Sequence, residues 1–217
     1  MVRGTLNAVG RIMRAAVLLM CGTLAAAQGQ GSSKPNGVFL VAKPDLADSN
    51  FSRTVVLVTQ TEDFSTVGVI LNRPTPLKLA QLEPGLETAK YRDAVFFGGP
   101  VAVKSLVAVF LSETRPPAAA FHVLPKLYMT LHPDNVKMLL ASDGRRYRLY
   151  AGFSGWAPRQ LESEFDREGW FVLPADADTV FRADTAGLWE ELVQRVRALK
   201  TRHKINGPAE GGAGSPG

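Results

Sequence analysis

Apolar residues along this chain fall into short runs broken by polar turns, and the spacing within each run sorts strand from helix. Val38-Phe39-Leu40-Val41-Ala42 reads as a strand stopped by Lys43-Pro44. Thr54–Thr59 and Val67–Leu71 are rich in β-branched residues, with a polar turn at Glu62-Asp63 between them. Both runs are apolar on alternate and intervening positions, the pattern of strands covered on two faces. Asn72-Arg73-Pro74-Thr75-Pro76 ends the second, because proline cannot donate to a ladder. Further strands are predicted at Ala94–Phe97, Leu106–Leu111, Arg146–Phe153 and Trp170–Leu173. Helices are predicted at Leu77–Leu82, Pro133–Ala141, Pro158–Asp166 and Thr185–Leu199. In the last of these, Leu188, Trp189, Leu192, Val193, Val196 and Leu199 recur at helical spacing, which marks a core-facing stripe. The expected architecture is a single α/β domain, a three-layer α/β/α arrangement around a mixed, largely covered sheet.

The two ends depart from this pattern. Arg11 and Arg14 precede an uninterrupted run of apolar and small residues, Ala15 to Ala27. That run is too short for a membrane-spanning helix but fits a secretory signal ending in Ala25-Ala26-Ala27. Residues 1–27 are therefore expected to be a signal peptide, and the protein to be exported to the periplasm or beyond. Initiation at Met20 would instead leave a cytoplasmic protein, and a lipoprotein reading would use Cys21, for which Met20 is a poor neighbour. Gln28 to Asn36 has the composition of a flexible linker. The domain is expected over 37–200, with a disordered tail, rich in glycine near its end, over 201–217.

Composition narrows the function classes. The chain has 217 residues, 46% of them hydrophobic and 21% charged, enough to bury a core and too polar for a polytopic membrane protein. No membrane span is expected once the signal is removed. One cysteine excludes an intramolecular disulfide and a multi-cysteine zinc site. The net charge is +5, but Arg3, Arg11 and Arg14 lie in the leader with no acid beside them. Taking those three from the 25 basic residues leaves 22 against 20 acidic, a net of +2. A body so nearly balanced argues against direct nucleic-acid binding, even with Arg145, Arg146 and Arg148 close together.

Complete chemical motifs are missing. His122, His132 and His203 have no histidine or cysteine at metal-ligand spacing, so no metal and no cofactor are expected. Ser154 in Gly152-Phe153-Ser154-Gly155-Trp156 is near a nucleophile elbow, but its second glycine comes one residue early. Phe97-Gly98-Gly99-Pro100 lacks the third glycine of a dinucleotide fingerprint and the lysine of a phosphate loop. The acidic stretch Glu162, Glu164, Asp166 and Glu168 sits beside Arg159 and Arg167 and reads as a solvated helix face.

Several segments taken together are more specific. Leu71-Asn72-Arg73-Pro74, Phe96-Phe97-Gly98-Gly99-Pro100-Val101, Gly152 to Glu162, Trp170 to Asp176 with Phe181, and Leu188-Trp189 resemble, in order and spacing, the YqgE/AlgH family of bacterial proteins. The resemblance spans about residues 37–197. It implies an α/β/α layered fold. It implies no established activity and no catalytic residues to carry over, although one branch is linked to transcriptional control of alginate production. Matching positions are Asn72, Arg73, Pro74, Gly98, Gly99, Pro100, Gly155, Trp156, Gln160 and Glu162. Many relatives have glycine at the positions of Ala157 and Arg159. Many also have a glutamine where this chain has Ala102, and a histidine on the following strand, where residues 103–112 hold none.

The expected site is a ligand-binding cleft where the turns at Asn72–Pro74, Gly98–Pro100 and Gly152–Trp156 converge beyond the ends of strands. Glycines leave room for close approach, and Arg73 offers forked donors to an anion. A small anionic ligand or a protein partner is the expected occupant, and a binding or regulatory role the expected function. The alternatives are a hydrolase-like enzyme using Ser154 and a DNA-associated regulator. Mass spectrometry of the amino-terminal peptide, after cell fractionation, should find Gln28 or its pyroglutamate first and the protein outside the cytoplasm; a cytosolic chain beginning at Met1 or Met20 contradicts export.

Overall fold

The computed structural model describes residues 34–82, 94–166 and 169–206. Nine strands form one sheet: β1 (Val38–Ala42), β2 (Val55–Gln60), β3 (Thr66–Ile70), β4 (Phe96–Phe97), β5 (Val101–Leu111), β6 (Phe121–Leu124), β7 (Leu127–Thr130), β8 (Tyr147–Trp156) and β9 (Trp170–Pro174). Among the described residues five helices accompany them: α1 (Leu79–Leu82), α2 (Pro133–Ala141), α3 (Gln160–Asp166), α4 (Ala177–Val180) and α5 (Leu188–Asn206). The strand order is β6-β7-β5-β8-β3-β2-β1-β9, with β4 lying beside β8.

The expectation of one mixed α/β domain holds, but the mixed sheet and the three layers do not. Every pairing is antiparallel except the two residues of β4 beside β8. The sheet curls into a half-barrel, and β6 at one edge folds back to the entrance of β1, where Gly37 N–H donates to the Val123 carbonyl at 2.8 Å. Phe39, Leu40, Val41 and Ala42 are all fully buried. Their double burial suggested helices on both faces. The curl supplies much of that cover from the sheet itself, since Val123, Leu127 and Met129 of β6 and β7 share a core cluster with β1, β2 and β3. Leu188, Trp189, Leu192, Val193 and Val196 of α5 join the same cluster, as the helical stripe foretold, but its last member, Leu199, is 50% exposed.

A second cluster forms outside the curl. Leu106, Ala108 and Phe110 of β5 and Leu149 and Ala151 of β8 pack against Val136, Leu139 and Leu140 of α2. The alternate residues Val107, Val109 and Tyr150 join the larger cluster, as the period of two in a strand requires. Helix α2 starts as expected, with Pro133 in its first turn and the His132 ring accepting from Asp134 N–H at 3.2 Å. Arg148 is buried against the Phe96 ring, 4.6 Å from its centroid, and donates to the carbonyls of Val180 at the end of α4 and of Arg182 just beyond it.

Other boundaries differ from expectation for local reasons. Strands β6 and β7 were not foreseen; they form a hairpin across Pro125-Lys126, with Lys126 at φ 65° in the second turn position. Strand β8 continues through Ser154 to Trp156, so the expected turn there is strand. Strand β5 starts at Val101, and Ala102 to Ser105 bulge out opposite Gly152. Helix α5 begins at Leu188 and continues to Asn206, into the stretch read as tail. The signal-peptide reading of residues 1–27 lies outside the described residues.

The β2–β3 hairpin is tied at its tip by Asp63. Its carboxylate accepts from the Thr61 hydroxyl and from Ser65 N–H and Oγ, while Thr61 N–H donates to the Ser65 carbonyl. The Thr61 bond above all, with those from Ser65, holds the Asp63 pKa below its ordinary 3.8, against the opposing effect of burial. Its stabilisation is therefore complete above that ordinary value and is lost as pH falls through the lower folded value. Asp63→Asn should lower stability near neutral pH, and its difference from wild type in denaturant titrations should shrink at about pH 2; an unchanged difference contradicts this.

Candidate functional site

Three short segments were expected to converge, and each meets its neighbours through the backbone. The Asn72 side chain faces the loop that leads into β2. Its Oδ1 accepts from Val55 N–H at 2.9 Å and its Nδ2 donates to the Arg53 carbonyl at 3.0 Å. The Arg73 guanidinium holds the same loop, donating to the carbonyls of Asn50 at 2.5 Å, Ser52 at 3.1 Å and Ser49 at 3.5 Å. Burial lowers the Arg73 pKa from its ordinary value, and the nearby Asp48 carboxylate opposes that effect. Arg73 is thus a clamp on loop carbonyls. Its own carbonyl accepts from Phe97 N–H at 2.8 Å, and Pro74 bridges to Phe96.

The Gly98-Gly99-Pro100 turn packs directly on β8. Gly98 N–H donates to the Ala151 carbonyl at 2.9 Å, and the Gly98 carbonyl accepts from Ile70 N–H and Ser154 Oγ, both at 3.0 Å. A Cβ on Gly98 would overlap the Gly152 carbonyl oxygen; one on Gly99 would overlap Phe153 backbone and Ser154 Oγ. Gly152, at φ 69°, faces the Gly99 and Val101 carbonyls in return. These glycines do permit close approach, and what approaches is the chain's own backbone. Ser154 is 0% exposed, and its hydroxyl donates to a carbonyl. No histidine or carboxylate among the described residues hydrogen-bonds to it. Gly155 pairs with Val67 within the sheet.

Trp156 is 1% exposed, and the residues that hold it were largely missed in the sequence. Its ring stacks on Phe51 with centroids 5.5 Å apart; Phe51 also meets Trp170 edge-on at 5.6 Å. Glu164 Oε2 accepts both indole N–H groups, from Trp156 at 3.1 Å and Trp170 at 2.8 Å. The acidic stretch was read as a solvated face, and Glu162 is indeed exposed. Glu164 instead shares the inward side of α3 with Leu161, three residues before it, a spacing that could have revealed it. Gln160 holds the start of α3: its Oε1 accepts from Ala157 N–H at 3.1 Å, and its N–H returns to the Ala157 carbonyl. Arg159 sits at φ 65° and Ala102 at φ 47°, where a side chain is strained. At Arg159 that explains why a glycine would fit.

Asn72, Arg73 and Trp156 all reach the loop Asp48–Val55, the first two by hydrogen bonds and the third through Phe51. The side chains of Asn72, Arg73, Ser154 and Gln160 hold backbone, and no group of three or more His, Cys, Asp or Glu that could hold a metal occurs among the described residues. Gly98→Ala should destabilise the fold by about 3 kcal/mol or more, because backbone must move. Gly144→Ala, at φ 78° in open space, should cost only about 1–2 kcal/mol of backbone strain. Equal losses for the two variants in denaturant titrations contradict the interlock.

The AlgH-like family model, DUF179, matches residues 39–199. A UPF0301 protein of Thermobifida fusca is 38% identical over 169 residues, covering 73% of this chain and 85% of that protein. One from Streptomyces avermitilis is 34% identical over 173 residues, covering 76% and 88%. The solution structure of the AlgH protein from Pseudomonas aeruginosa superposes with a TM-score of 0.62 at 24% identity, covering 83% of this chain and 97% of that one, a likeness of fold. Protein DIP2367 from Corynebacterium diphtheriae gives 0.56 at 26% identity, covering 76% and 89%. With its curled sheet, its interlocked glycine turns and these relatives, the chain belongs to the AlgH-like (UPF0301) family.

Proposed function

We propose that this protein acts by binding, in a regulatory role, and not by covalent catalysis. One observation carries the reading: the Ser154 hydroxyl, the nucleophile a hydrolase would need at this motif, is fully buried and donates to the Gly98 carbonyl. A hydroxyl in that position serves the packing of β4 on β8, and attack on a substrate would need both a path to it and a base beside it. The occupant we favour is a protein partner or a small anionic group near Arg73, whose guanidinium keeps its charge and has donors beyond those given to the loop. The near-balanced body, at +2 after the leader, supports a partner other than nucleic acid. No helix among the described residues is long and apolar enough to cross a membrane. If the amino-terminal segment directs export, the partner is met outside the cytoplasm.

The test uses an active-site-directed fluorophosphonate on the folded protein. Mass spectrometry should find Ser154 unmodified, and Ser154→Ala should lower thermal stability. Stoichiometric labelling of Ser154 in the folded state overturns the binding reading in favour of the hydrolase.

A further inference from the structure

Beyond the binding reading above, and independent of it, helix α5 changes character along its length. Its first turns pack on the sheet, and Val196 is its last buried residue among those described; from Arg197 to Arg202 every residue is exposed. The acids of α5 lie at its start and are engaged, Glu190 with Arg53 and Glu191 with Arg182. After them come Arg195, Arg197, Lys200, Arg202 and Lys204, with no acid among residues 192–206. Setting those five aside leaves 17 basic residues against the 20 acidic in the rest of the body after the leader, a net of −3. The near balance of the body therefore combines an acidic domain with a cationic helix end.

Two ordinary uses of such cations do not account for them. The helix dipole favours positive charge at a C-terminus, but its effect falls off within the last turn. Arg195 and Arg197 stand more than two turns before Asn206. Ion pairing is the other use, and no carboxylate among the described residues pairs with Arg195, Arg197, Lys200 or Arg202. Lys200 Nζ lies instead 4.9 Å from the centroid of the Phe171 ring, which rests that turn of α5 on β9. Helical spacing then groups two of the arginines with an apolar residue. Arg195, Leu199 and Arg202 follow at i, i+4 and i+7 on one face, and Leu199 is half-exposed between them. Ala198 lies beside them, and the Thr201 hydroxyl is turned onto the Arg197 carbonyl at 3.0 Å.

We propose that this half of α5 docks the protein on an anionic lipid surface. Arg195 and Arg202 reach the headgroup phosphates, and Leu199 between them enters the boundary of the acyl chains, the division of basic and apolar side chains that a membrane interface selects. Leu199 favours this occupant over a nucleic acid, because a phosphate backbone has nothing apolar to offer it. The acidic remainder of the body is repelled by the same surface, so the molecule approaches with the cationic end of α5 leading. The contact lies at the interface and does not span it, as no helix among the described residues is long and apolar enough to cross.

The full chain should sediment with vesicles of phosphatidylcholine and phosphatidylglycerol more strongly than with phosphatidylcholine alone, and added salt should weaken the difference. Arg195→Gln, Arg197→Gln and Arg202→Gln should each weaken binding to the anionic vesicles about fivefold. Arg115→Gln, exposed in the loop between β5 and β6, should not. All four side chains are exposed, so the thermal unfolding of these variants should match wild type. Because the amino-terminal segment is itself basic and apolar, the contact is read at α5. In a Cys21→Ser background, Leu199→Cys carrying an environment-sensitive bimane should shift its emission to the blue on the anionic vesicles. Binding with the label at 199 still in water, or equal binding by wild type and Arg195→Gln, overturns the proposal. Tighter binding to duplex DNA than to vesicles at the same salt, lost in the three α5 variants, overturns it in favour of a nucleic acid.

Discussion

The Gly98 carbonyl oxygen accepts one hydrogen bond from the backbone of β3 and another from the Ser154 hydroxyl of β8, while the Gly98 N–H is spent on Ala151. That one residue joins β3, β4 and β8 at the middle of the sheet. It can do so only because Gly98, Gly99 and Gly152 carry no side chains where their backbones meet. The short parallel strand β4 depends on this contact, and so does the four-residue bulge of β5, which Gly152 faces. Strand β8 connects the two halves of the sheet through β5 and β3, so a disturbance here reaches both hydrophobic clusters.

A second constraint sits one strand away. Asn72 and Arg73 make five hydrogen bonds with the segment from Ser49 to Val55, four donated and one accepted. At about 0.5–1.5 kcal/mol net for each, their sum is roughly half of a domain's stability margin. The loop returns the favour by delivering Phe51 to the two tryptophans and Arg53 to the ring of Trp189, 4.4 Å from its centroid. Motif residues that read as a ligand cradle are thus the fasteners of a loop. Glycines, an arginine and an asparagine suit either task, because both need close approach and many donors.

Much of the fold was legible where local pattern decides it. The runs at 38–42, 54–59 and 67–71 became β1 to β3 within a residue or two, and the stripe from Leu188 to Val196 faces the core. What pattern could not show is why a strand is covered twice. Apolar residues on both faces of β1 look the same whether helices or the sheet's own far edge cover them. Likewise Gly152-Phe153-Ser154-Gly155 has the composition of a turn. Its extension as strand depends on β3 pairing alongside, a contact some 86 residues away in the chain from Gly68 to Ser154. The partners of the residues singled out in the sequence were not legible: Phe51, Glu164 and Trp170 meet Trp156 through tertiary contact.

The placement of the indoles gives this protein a built-in optical gauge. Its sequence holds three tryptophans, at 156, 170 and 189. Two share the Glu164 carboxylate and touch Phe51; the third lies under the Arg53 guanidinium and donates to the Ala42 carbonyl. All three therefore flank the same eight-residue loop, Asp48–Val55, from two sides. Ultraviolet emission of the untouched chain is in effect a local signal from that loop, readable without any attached dye.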